Sequence, residues 1–394
     1  MIRIRMLLAS IAALLLLVGP TPAGQSTTVR QDFDPALVER LDKEITATMK
    51  QAGVPGVNVG LWIPGRGTYV KSFGVSDKSA GTPMKSDMYM RIGSVTKTFT
   101  VTGLLQLVDQ GRIRIDDPVS RYVQGVPGGD RITLRQLAGM RSGLFNYTED
   151  DELQKLLAAD PQRVFTPRQL LDRAFAHPPD FPPGTDWQYS NTNLVLLGLV
   201  IEKVTGEPVG RYLEQHVYAP LGLDQTSFPT SGAIGDPHAQ GYTDFTPSGA
   251  TTTSTNWDPS WAWAAGAMIS DLEDLHTWVP ALVTGRLLTP ETQKQRLKFG
   301  PTGLPGTGYG LGIMEVNGWI GHNGELPGYE TLAVYLPSVK ATLVILINSD
   351  IDYRGNALST LIGKAVTSVV TPDNVFSLPA APQSTKPKPT TTPR

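Results

Sequence analysis

The chain has 394 residues, 40% hydrophobic and 18% charged, an ordinary globular composition with enough apolar material for a large core. Its 34 basic and 36 acidic residues nearly cancel, leaving a net charge of -2, which argues against a nucleic-acid-binding surface and against an acidic solvating chain. Cysteine is absent, which excludes disulfides, thiolate metal ligands, a catalytic thiol and a lipid-modified cysteine.

Arg3 and Arg5 precede an apolar run, Met6 to Val18, closed by Pro20, Pro22, Ala23 and Gly24. A basic start, a short apolar stretch and small residues at its end predict a secretory signal over residues 1–24, hence an exported, periplasmic or wall-associated protein. The run is short for a membrane span, which needs about 20 apolar residues. Pro35 to Ala52 carries Leu37, Val38, Leu41, Ile45 and Met49 at helical spacing. Val57–Ile63 and Thr68–Gly74 flank Pro64-Gly65-Arg66-Gly67 and predict a hairpin. A helix is expected from Thr96 to Val108, with Gly111 near its C-terminal cap.

Residues 112–288 read as a mostly helical insertion broken by Pro/Gly loops. Leu194–Val204 is one of its helices, and Ser270-Asp271-Leu272-Glu273 predicts a capping box that opens another. Gln240 to Trp263 reads as a long loop. Strands then return: Leu311–Val316 and Trp319–Gly321 across Asn317-Gly318, and Thr331–Leu336 and Thr342–Ile347 across Pro337-Ser338. A helix over Ala357–Val370 closes the domain, and the Pro/Thr-rich residues 373–394 read as a flexible tail. The expected fold is α+β. One antiparallel sheet of about five strands is built from both chain ends (33–90 and 289–372), flanked by terminal helices and carrying the helical insertion.

Three short segments carry candidate chemistry. In Arg91-Ile92-Gly93-Ser94-Val95-Thr96-Lys97, Ser94 stands at a helix start and Lys97 one turn later on the same face. A plain helix cap is one reading, but a cap favours Glu or Gln three residues on, and a cation there opposes the helix dipole. Burial beside that positive end would lower the Lys97 pKa, leaving a neutral amine able to take the Ser94 proton. The second segment, Tyr189-Ser190-Asn191, lies in a loop before a helix that Asn191 or Asn193 would cap well. Its functional reading makes Tyr189 a proton shuttle and Asn191 a donor to Lys97 or substrate. The third, Gly321-His322-Asn323-Gly324-Glu325, ends a strand, where a glycine lets a ligand or another backbone come close. The Ser94 and Glu325 amides then make a pair of oxyanion donors. None of the five histidines shows metal-ligand spacing, and a lone histidine such as His322 is more often structural.

Taken together, the order and placement of these segments resemble the serine β-lactamase and penicillin-binding family, in the variant with Tyr-x-Asn and His-x-Gly. The likeness is strongest to soluble D-alanyl-D-alanine carboxypeptidases, class C β-lactamases and related esterases. It spans about Phe33 to Val370 and includes Ser142-Gly143-Leu144, Ala265-Gly266-Ala267-Met268 and Gly308-Tyr309-Gly310-Leu311-Gly312. The resemblance implies Ser94, Lys97 and Tyr189 as catalytic residues, with Asn191, His322, Asn323, Gly324 and Glu325 binding substrate, and no metal or organic cofactor. It implies a peptidoglycan peptide or a small ester or amide as substrate, and β-lactams as inhibitors or substrates.

One departure bears on substrate. The carboxypeptidases usually carry hydroxyl residues where this chain has Asn323 and Glu325, and no Lys or Arg occurs between Tyr309 and Glu330. A free substrate carboxylate would meet like charge at Glu325. A protonated His322 is then the one expected source of positive charge. Carboxypeptidase, esterase and β-lactamase activities stay open, as does a non-catalytic peptidoglycan-binding module.

Overall fold

A computed structural model describes residues 32–379. The signal-peptide reading of residues 1–24 and most of the expected tail lie outside the described residues. Five long strands form the middle of the sheet: β1 (Gly56–Ile63), β2 (Gly67–Asp77), β3 (Trp319–Leu326), β4 (Tyr329–Leu336) and β5 (Ala341–Ile347). Their spatial order is β2-β1-β5-β4-β3, every pairing antiparallel, so the N-terminal hairpin docks on the last strand of the C-terminal meander. Among the described residues the sheet has nine strands rather than about five. The others are the short edge pieces Thr82–Pro83, Gly300–Pro301 and Thr307–Tyr309, and Met314–Val316, the part of the expected Leu311–Val316 strand that forms. Two or three residues are too few to show a period of two in the sequence.

β1, β4 and β5 are buried at every position, so both faces of the sheet are covered. On one face lie α1 (Pro35–Ala52) and α5 (Leu358–Val370), packed on each other. The Tyr69 hydroxyl donates to Asp42 of α1 at 2.7 Å from this side. On the other face lies α4 (Leu272–Thr284), where His276 stacks on Trp62 with ring centroids 3.8 Å apart. So α4, although inside the span read as a helical insertion, belongs to the sheet layer. Its cap is Asp271, which accepts from the Asp274 amide, and Ser270 sits instead in a two-residue strand paired with Met90–Arg91. The long loop over 240–263 contains a small pairing of Tyr242–Thr243 with Thr252–Thr253.

Two helices position the site. α2 (Thr96–Asp109) is buried along most of its length and is locked to α4, where Trp278 stacks on Phe99 and its indole N–H donates to Thr98 Oγ1 at 2.9 Å. α3 (Asn191–Thr205) packs against α2 and ends at Gly206 in the left-handed region. The ordered domain passes the expected boundary at 372: Phe376 is fully buried, and the Trp319 indole donates to Asn374 O at 2.7 Å. No helix among the described residues is long and apolar enough to cross a membrane.

Candidate active site

Ser94 stands in a single 3-10 turn, Gly93–Val95, that feeds α2. Lys97 follows in the first turn of the helix and is fully buried. Its Nζ lies 2.8 Å from Ser94 Oγ and 2.7 Å from the carbonyl oxygen of Ala265. Burial holds the Lys97 pKa well below the usual lysine range. As a neutral amine it donates to Ala265 and keeps a lone pair for the Ser94 proton. The segment that presents Ala265 is stitched to the same helix turn, since Thr100 Oγ1 donates to Ala264 O at 2.8 Å and the Met268 amide donates to Thr96 Oγ1 at 3.1 Å.

Tyr189 arrives from the opposite side. Its hydroxyl donates to Ser94 Oγ at 2.6 Å, and Lys97 Nζ sits 4.8 Å from the centre of its ring. Burial, with a further push from Glu325, raises the Tyr189 pKa against the opposing bond to Ser94, so the phenol keeps its proton at neutral pH. A loop clamps the start of α3 and with it Tyr189. Asn146 Oδ1 accepts from the Asn191 amide at 3.0 Å, and Ser142 Oγ donates to Asn193 Oδ1 at 2.6 Å. The Asn191 side chain donates to Thr148 Oγ1 at 3.1 Å, not to Lys97. Neither Asn191 nor Asn193 is the helix cap; Ser190 precedes the first turn without a side-chain cap bond.

The third segment lies within β3, which runs on to Leu326, rather than at a strand end. Two-residue turns bracket β3, setting Val316 opposite Trp319 and Leu326 opposite Tyr329. The residues flanking such a turn share ladder hydrogen bonds, and alternation from either end turns the amides of Gly321, Asn323 and Glu325 away from β4. Pairing on that side stops at Met314 opposite Gly321, so the Asn323 and Glu325 amides face the turn that carries Ser94. Contact there is backbone to backbone. A Cβ on Gly93 (φ +50°) would fall 2.3 Å from Glu325 N, and one on Gly324 would fall 2.0 Å from Ile92 O and 2.9 Å from Ser94 N. The two glycines thus let the Ser94 and Glu325 amides converge beside the serine oxygen, the arrangement that can hold an oxyanion.

His322 is buried behind this edge. Its Nδ1 lies 2.5 Å from Asn323 O and its Nε2 3.1 Å from Tyr309 Oη. Burial above all pushes its pKa down to about 3, and a positive charge on Lys97 acts in the same direction. It is therefore neutral through the physiological range, which overturns the expectation of a positive charge at this position. A neutral ring that donates from Nδ1 to Asn323 accepts from Tyr309 at Nε2. Burial also holds the Tyr309 pKa well above the usual range, so the phenol is protonated and able to donate. The Glu325 side chain is exposed.

Ser94, Lys97, Tyr189, His322, Gly324 and the Glu325 amide thus come together. Sequence reasoning assigned no role to the Ala265 carbonyl, to Tyr309 or to the clamp at Asn146 and Thr148. Ala265 and Tyr309 lie in segments that carried the family likeness, but a carbonyl acceptor has no side-chain signature.

Comparison with known proteins gives a consistent picture. The sequence profile of the family described as Beta-lactamase matches residues 41–365. A D-stereospecific amidohydrolase from Streptomyces sp. is 35% identical with a TM-score of 0.76, over 85% of this chain and 98% of that one. The D-amino acid amidase of Ochrobactrum anthropi SV3, solved with D-phenylalanine, is 27% identical with a TM-score of 0.77, over 86% and 99%. Protein flp of Staphylococcus aureus (strain N315) is 24% identical over 335 residues, 80% of this chain. The chain spans 64% of that relative's length.

Proposed function

The chain belongs to the β-lactamase family and is a serine hydrolase, and on that premise we propose that it is an amidohydrolase that acylates Ser94 with the carbonyl side of D-amino acid amides or of peptides with a D-residue at the scissile bond. The observation that carries this reading is the fully buried Lys97 on Ser94 Oγ, with Tyr189 on the same oxygen. As Ser94 Oγ attacks the carbonyl carbon, its proton passes to Lys97 Nζ. The oxygen of the tetrahedral adduct collects negative charge between the Ser94 and Glu325 amides. Tyr189 gives its proton to the departing nitrogen and is refilled from Lys97, the C–N bond breaks, and an ester on Ser94 remains. Water attacks that ester with Lys97 taking its proton, the C–O bond to Ser94 breaks and the acid leaves, and Lys97 returns the proton to Ser94 Oγ.

The amide reading draws on the two amidohydrolases, which align over nearly their whole length. It also fits the charge around the site. His322 is neutral, and Glu325 pushes Tyr189 toward a higher pKa, so the carboxylate is felt at the reacting oxygen. A leaving group with a free carboxylate enters an electronegative field there, whereas a simple amide does not. Carboxypeptidase action on wall peptides, in an exported protein, is the second reading, favoured by penicillin-binding relatives such as the Bacillus subtilis chain described as PbpX, 28% identical over 282 residues.

The test is release of product from D-amino acid amides, their L-enantiomers, and one D-alanyl-D-alanine peptide with its C-terminus free or amidated. The expected result is turnover of D-amides and of the amidated peptide, none of it retained by Ser94→Ala. Preference for the free-carboxylate peptide would move the assignment to a carboxypeptidase. Glu325→Gln removes the charge and keeps the amide donor. Its kcat/KM on the free-carboxylate peptide is expected to rise about tenfold while the amidated peptide changes less than about threefold. An equal change on both peptides would show that Glu325 does not discriminate by charge.

A further inference from the structure

The segment over residues 258–268 has two faces. Its inner face holds the catalytic apparatus through the carbonyls of Ala264 and Ala265 and the amide of Met268. Its outer face, through Asp258, Trp263 and Ala267, lines a cleft of about 760 Å3. That volume suits a small organic molecule. Tyr218 and Phe228 also line the cleft, so its lining includes three aromatic side chains. Trp263 and Ala267 each stand two residues from Ala265, whose oxygen holds Lys97 Nζ at 2.7 Å.

Trp263 is the hinge between the two faces. It adopts φ +35°, a backbone conformation that side-chain-bearing residues rarely take and that surrounding structure must hold in place. Part of that hold comes from α3, where only a glycine fits. A Cβ on Gly198 would lie 2.7 Å from the Trp263 ring and 2.7 Å from Ala264 Cβ. Charge around the cleft has one dominant sign. Glu202 and Glu214 line it against the cation Arg211, which already reaches Glu207 at 4.0 Å; Asp258 lines it too, but its charge is offset by the buried Arg91. Aromatic walls with surplus carboxylates favour an organic cation, whose apolar body stacks on the rings while its charge meets the acids.

We propose that this cleft is a second binding site, distinct from the one at Ser94, for an apolar molecule bearing an ammonium group, and that its occupation regulates turnover. In the structure Ala265 already holds Lys97 Nζ. A ligand that presses on Trp263 and Ala267 shifts this segment and lowers the fraction of enzyme with its base in place. The site does not depend on which bond Ser94 cleaves.

Phenethylammonium is a suitable probe and phenylpropionate its anionic counterpart. Calorimetry on the full chain is expected to show binding of the ammonium and not of the carboxylate. Glu214→Gln, on an exposed residue outside the catalytic machinery, should weaken that binding about threefold, and Glu202→Gln with Glu214→Gln about tenfold. Basal turnover should be unchanged by Glu214→Gln. At saturating substrate, where competition at Ser94 is suppressed, the probe should lower kcat about fivefold in the wild type and less in the double variant. No binding, or binding equally strong in both variants, would overturn the site. Binding with no change in kcat would overturn its regulatory role. Calorimetry needs no turnover, so failure of the amidase reading and failure of this site are separately visible.

Discussion

Lys97→Met is expected to lower kcat/KM on amides by about 10,000-fold while leaving the chain folded and no less stable at neutral pH. The loss follows from geometry, because Lys97 is the basic group on Ser94 Oγ and Tyr189, held protonated by its raised pKa, cannot take its place at neutral pH. Stability follows from linkage. Folding keeps Lys97 neutral by burial, whereas the unfolded chain protonates it at all pH values below about 10.4. Between the depressed folded pKa and that value the unfolded state binds more protons, so stability rises with pH across the window and is poorest below it. Methionine is similar in volume and carries no such penalty, although it leaves the Ala265 carbonyl without its donor, which costs about 1–3 kcal/mol in return.

The same residue sets the acid limb of the pH–rate profile. Wild-type activity should fall as pH drops through the depressed Lys97 pKa, because protonation removes the base. His322, already pushed down to about 3, contributes no fall near neutrality. Measuring kcat/KM against pH together with thermal unfolding for both proteins checks each step. Activity within tenfold of wild type in Lys97→Met would remove Lys97 from its role, and a marked fall in its melting temperature would show that the lysine is structural.

How much of this was written in the sequence differs from element to element. Ser94 and Lys97 were legible because their relation is local: one helical turn fixes it, and the misfit of a cation at a helix start flags it. The long strands were legible in part: Tyr329–Leu336 and Ala341–Ile347 were expected over Thr331–Leu336 and Thr342–Ile347, whereas Trp319–Leu326 was expected to stop at Gly321. The partners of those residues through space were not. Asn191 could be placed at a helix start, but its bond to Thr148 depends on a loop more than 40 residues away. The protonation of His322 was misjudged for a similar reason. Its burial and its proximity to Lys97 come from the packing of β3 on α2, which no spacing in the sequence reveals.

Short edge strands and backbone acceptors form a second illegible class. Gly300–Pro301 and Thr307–Tyr309 pair because the sheet beside them is already formed, not because their own pattern demands it. Ala265 acts through a carbonyl that every residue has. Its importance comes from being delivered to Lys97 by a segment pinned at Thr96 and Thr100. Glycine lies between these cases. Gly324 announced that something comes close to β3, and the structure identifies it as the backbone on either side of Gly93.

That contact makes Gly324→Ala the sharpest probe of the oxyanion donors. The added methyl carbon would lie 2.0 Å from Ile92 O and 2.9 Å from Ser94 N, where real contacts keep at least about 3 Å. Both neighbours are backbone, and the turn they belong to is tied to α2 and to Met268, since the Ile92 amide donates to Met268 O at 3.0 Å. Relief therefore requires the Ser94 turn and β3 to part by roughly 1 Å, a displacement sufficient to cost about 100-fold in rate when it separates reacting groups. With one of two oxyanion donors also withdrawn, kcat is expected to fall by about 1,000-fold. Glu325→Ala is the matched control. It deletes the side chain of the donor residue but keeps its N–H, so activity on a neutral amide should stay within about threefold of wild type. If the two variants lose activity equally, the Glu325 carboxylate rather than its backbone supports the reaction. If Gly324→Ala stays active, the charge of the tetrahedral adduct must be held by groups other than these two amides.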